Sequence, residues 1–73
     1  MKVKELISHL MVKDIYIVTA TKRICYSNDG GMSFHRSVFG NPDPELTYKI
    51  YNCTVLCVTP RSNYAISIRI EEI

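Results

Sequence analysis

Tryptophan is absent from the 73 residues, and glycine, proline and cysteine occur only three times each. Two of the glycines are adjacent (Gly30, Gly31), Gly40, Pro42 and Pro44 fall close together, and Pro60 stands alone, so the strongest chain breakers sit in three places. No apolar run approaches the ~20 residues that a membrane-spanning helix needs, which excludes that class. Three cysteines are an odd number, and Met1-Lys2-Val3-Lys4-Glu5 opens on charge rather than on an apolar leader. Free thiols in a reducing cytoplasm are the expectation, and the sequon at Asn52 then carries no glycan. Net charge is only +2, without the Lys/Arg cluster of a dedicated nucleic-acid binder. Phosphate loops, HExxH and GxSxG are missing too, so neither an enzyme nor a cofactor is expected.

Hydrophobic residues make up 47% of the chain, enough for one globular domain over residues 1–73. A chain so short buries only about 60% of its unfolded surface, so its core is thin. Val3, Leu6, Ile7, Leu10 and Met11 lie at i, i+3, i+4, i+7 and i+8, which predicts an N-terminal helix of about three turns. Ile15–Ala20 and Arg23–Tyr26 read as a hairpin turning at Thr21-Lys22, followed by a third strand over Ser33–Phe39. Asp43 before Pro44 fits an N-cap with proline at the first helical position, predicting a helical turn over Pro44–Lys49. Ile50–Thr59 is the longest strand candidate, Pro60–Asn63 a turn, and Tyr64–Ile70 a closing strand with Ala65, Ser67 and Arg69 on its polar side. These elements predict an α+β fold: an N-terminal helix packed on one face of a four- to five-stranded antiparallel sheet.

One short helix covers only one sheet face. The first and fourth strands carry apolar residues on both faces, so Tyr16, Val18, Leu56 and Val58 are expected to meet another protein or a second copy of the chain, making a homodimer. Cys53 and Cys57, four apart on a strand, would lie about 13 Å from each other, too far to share an ion or a disulfide. All three cysteines are therefore read as core thiols, with no metal site. His9 and His35 have no partner suggesting a catalytic group and are read as solvated. Five tyrosines beside Lys22, Arg23 and Arg36 offer an alternative, a stacking surface for nucleic acid.

The stretch Ser27-Asn28-Asp29-Gly30-Gly31-Met32-Ser33-Phe34 has the pattern Ser-x-Asp-x-Gly-x-Ser-Phe. It resembles the Asp-box, the repeat of bacterial neuraminidases, at Ser27, Asp29, Gly31, Ser33 and Phe34. In that family the motif is a structural hairpin turn away from the active site. A single copy here implies a fold-organising turn and no sialidase activity. The opening Met1–Ile7 segment followed by a hairpin, and Pro44-Glu45-Leu46 before a last hairpin, look like small proteins of phages and mobile elements. That likeness implies a non-enzymatic interaction protein of the host cytoplasm, with inhibitors of host-defence nucleases, anti-CRISPR proteins among them, as the sharpest form. Its expected contact surfaces are the sheet face named above and the Asp29-Gly30-Gly31 tip.

Overall fold

The structure, a computed structural model, describes residues 1–28, 33–37 and 39–72. Among these the chain runs through α1 (Val3–Ile7), β1 (Asp14–Val18), β2 (Arg23–Ser27), α2 (Pro44–Tyr51), β3 (Cys57–Ser62) and β4 (Ala65–Arg69). It is a small α+β fold with both helices contributing to one core.

α1 is shorter than its apolar stripe predicts. The Ser8 hydroxyl donates to the Glu5 carbonyl at 2.8 Å, and the next amides bond three residues back, His9 to Leu6 and Leu10 to Ile7. This tightened turn ends the helix. Leu10 still reaches the core from the tail, whereas Met11 is fully exposed. The N-terminus is held by pairing with a distant segment, through Val3 N–H to the Cys53 carbonyl (2.9 Å) and Val55 N–H to the Met1 carbonyl (2.8 Å).

α2 begins as the sequence predicts, with Pro44 in its first turn and Asp43 Oδ1 accepting from the Leu46 amide at 3.0 Å. It then runs past Lys49 and absorbs Ile50 and Tyr51, expected to open a strand. Leu46, Thr47 and Ile50 form its buried face at helical spacing. Among the described residues the third predicted strand is reduced to one bridge, Tyr26 opposite His35. Phe34 turns into the core instead: its amide bonds Thr47 Oγ1 at 2.9 Å and its carbonyl accepts from the Asp43 amide at 2.9 Å. The backbone that a third strand would offer to the ladder is committed to α2.

The sheet has four strands in the order β2-β1-β4-β3 and is mixed, not antiparallel throughout. β1–β2 and β3–β4 are antiparallel hairpins, but β4 lies parallel to β1 at the centre. The crossing through α2 allows this, because parallel neighbours need a long connection. Residues opposite one another share a face, so the registers sort the side chains into rows. Toward the helices lie Cys25–Ile17–Ile68–Val58 and Ser27–Ile15–Ile66–Pro60. Together with Val3, Phe34, Leu46, Ile50 and Ile70, the central members of these rows build the core.

The opposite face carries Arg23–Val18–Arg69–Cys57, then Tyr26–Tyr16–Ser67–Thr59, then Asp14–Ala65–Ser62. Neither helix covers it. β3 is an edge strand exposed along its whole length, and Pro60 interrupts its capacity to recruit another strand.

Candidate functional site: the open sheet face

Two irregularities shape this face. In β2 the register slips between the partners of Ile17 and Val18, so that Cys25 and Arg23 are paired and Ile24 is the extra residue. In β3 it slips between Pro60 and Ser62, leaving Arg61 as the extra residue. A bulge re-aims side chains and bends its strand. The bulge in β2 moves Arg23 onto the open face, and Arg61, the extra residue of the β3 bulge, reaches the same ring from the other hairpin. The Arg23 guanidinium carbon lies 5.1 Å, and that of Arg61 4.8 Å, from the Tyr16 ring centroid. Arg61 also donates from Nη1 to Ser67 Oγ at 3.1 Å. Each guanidinium is thus steadied by neutral partners that leave its charge uncancelled.

Tyr16 is fixed in turn by Tyr26, whose ring centre is 5.0 Å away at a tilt. The Tyr26 hydroxyl donates to Asp14 Oδ1 at 3.0 Å, and desolvation, then this hydrogen bond, raises the phenol above its ordinary range. His35 stands edge-on to Tyr26 with 5.7 Å between ring centres. It is buried, contrary to the solvated reading, and its Nδ1 meets the Ser37 carbonyl.

At the other end of the face, the β1–β2 turn closes a groove of about 330 Å³. Lys22, Arg61 and Arg69 line it with Thr21, Thr59, Ser67 and Cys57. The turn is held by Thr19, which is buried. Its amide donates to the Lys22 carbonyl at 2.8 Å, and its hydroxyl bonds the same carbonyl at 3.3 Å.

The structure separates residues that the sequence grouped. Tyr16 and Val18 are on the open face. Val58, opposite Ile68, is on the helix side, and Leu56 continues that alternation as its amide bonds the Arg69 carbonyl. The four therefore form no common surface; the one-residue step between Cys57 and Val58 decides the side. Lys22 and Arg23 reach the open face. Arg36 lies around the edge of β2, lining one hollow with Arg23 and another with Asp43, Glu45 and Lys49. Asp29, Gly30 and Gly31 lie outside the described residues. Of the rest of that motif, Ser27 and Phe34 are fully buried and Ser33 is half-buried.

Arg61 and Arg69 were not singled out as candidates. Arg69 had a legible signal in the polar alternation of the last strand. Arg61 had none, because residues 60–62 read as a turn and belong to β3. The cysteines divide: Cys25 is buried in the core, Cys53 is half-buried against it and Cys57 is exposed on the open face, so the core reading fails for Cys57. Among the described residues no three His, Cys, Asp or Glu side chains come together as a metal-binding group. No helix among them is long and apolar enough to cross a membrane. Compared with protein-family models, with curated proteins and with solved structures, the chain matches none.

Proposed function

We propose that this protein is a non-enzymatic binding module that holds a single strand of nucleic acid along the open face of its sheet. The observation that carries the reading is the convergence of Arg23 and Arg61 on Tyr16, with Lys22 and Arg69 beside them. Cations track a phosphate backbone, and arginine planes held over an aromatic ring also stack on unpaired bases. A sheet face of this kind presents a flat platform, whereas reading a duplex calls for an element that enters a groove.

Fluorescence anisotropy with a labelled oligothymidylate, repeated across a salt series, tests the proposal. Neutralisation by Lys22, Arg23, Arg61 and Arg69 gives log K against log salt a slope of about −3. Arg23→Gln and Arg61→Gln each flatten it. Absence of binding at low salt would refute the proposal.

A protein-contact reading has its own supporting observation. Leu56 and Val58 are 52% and 42% exposed at the β3 edge, and Tyr64 nearby in sequence is 68% exposed. An interaction module of the phage type, inhibiting a host-defence nuclease or pairing with a second copy, would engage this edge and not the cationic face. Light scattering and capture of a nuclease partner address that reading.

A further inference from the structure

We propose that the groove beside the β1–β2 turn is a discrete seat for one phosphate group. It rests on the reading of the open face as a nucleic-acid surface, and it identifies where on that face a phosphate is fixed.

The groove gathers three cations from three separate parts of the chain: Lys22 from the turn, Arg61 from β3 and Arg69 from β4. Thr21, Thr59 and Ser67 also line it, and none of the residues lining it is acidic. Phosphate is the ligand chemistry that such a lining fits, since a tetrahedral oxyanion accepts several charge-assisted hydrogen bonds at once. Carboxylate would use fewer of these donors.

One of the donors is held in advance, and the backbone that carries the other two is fixed. Arg61 is fixed between the Tyr16 ring and Ser67 Oγ. Thr19 locks the backbone of the turn that presents Lys22. The row Val18–Arg69–Cys57 sets Arg69 across the centre of the sheet, where its backbone is bonded on both sides. Binding therefore has only the Lys22 and Arg69 side chains left to order. Arg61 lines the groove and also lies over the Tyr16 ring, so a phosphate seated here leaves the adjoining nucleotide beside that ring.

The test is a titration of ¹⁵N-labelled protein followed by NMR, first with inorganic phosphate and then with a short oligothymidylate. Both ligands are expected to shift the amides of Thr21, Lys22, Thr59, Ser67 and Arg69. Arg69→Gln and Lys22→Gln, two exposed positions that the fold tolerates, weaken phosphate about tenfold each, the loss of one charge-assisted contact. Phosphate that leaves these amides unmoved, or binds both variants as tightly as the parent, overturns the seat. If the oligonucleotide then still binds with a steep salt dependence, the nucleic-acid reading stands without it. If phosphate occupies the groove and the oligonucleotide does not bind, the seat stands, its ligand is a free phosphate compound, and the nucleic-acid reading falls.

Discussion

Cys25 illustrates how position decides the chemistry of a residue type. Its side chain faces the helices beside Ile17 and is 2% exposed, and burial pushes its thiol up to about 11 from 9.0. Arg36 opposes that rise and Asp43 adds to it. The folded state keeps the proton through the interval in which the unfolded chain loses it. Its contribution to stability is therefore complete below pH 9 and lost as the pH climbs toward 11, a loss of about 2–3 kcal/mol. Denaturant melts across that interval, compared with those of Cys25→Ala, isolate the effect; parallel pH profiles would contradict it. Alkylation in the native state orders the three thiols, with Cys57 fastest and Cys25 slowest. Desolvation raises Cys53 as well, with Glu71 contributing, so it falls between them.

Among the elements, α2 connects the core to the segment around Phe34. Asp43 caps it through Leu46, while Thr47 Oγ1 receives the Phe34 amide and its hydroxyl bonds the Asp43 carbonyl at 2.8 Å. Asp43→Ala removes the cap and is expected to cost about 1 kcal/mol in chemical denaturation, with Asp43→Asn recovering most of it. An unchanged midpoint would mean that Pro44 and the buried face alone set the start of the helix. The two bulges are the corresponding devices in the sheet. Without the slip at Ile24, strict alternation from Cys25 would place Arg23 on the helix side. In β3, alternation from Pro60 already directs Arg61 to the open face, and the slip there moves Ser62 onto the same side opposite Ala65.

For the whole molecule, the decisive arrangement is the segregation of two surfaces by one sheet. The helix side ends in the exposed Leu56–Val58 edge, and the other side carries the cations. Val58→Asp is accordingly expected to leave oligonucleotide affinity within about twofold, because the new charge is screened by distance and solvent. The same change abolishes any self-association through the edge. Loss of nucleic-acid binding in that variant, with the fold intact by circular dichroism, would show that the two sides are not independent. Fold class, the first hairpin with its turn near Lys22, the N-cap at Asp43 and the inward row Ile66, Ile68 and Ile70 were all legible in the chain. They depend on periodicity, capping and turn chemistry, which act between residues close in sequence. The parallel pairing of β1 with β4, the loss of the third strand to Phe34 and the helical fate of Ile50 were not. Each depends on which distant segment satisfies a backbone group or buries a side chain. The open face belongs to that second category: it brings Arg23, Arg61 and Arg69 together on Tyr16 and its groove only because two hairpins, remote in sequence, dock side by side in one register.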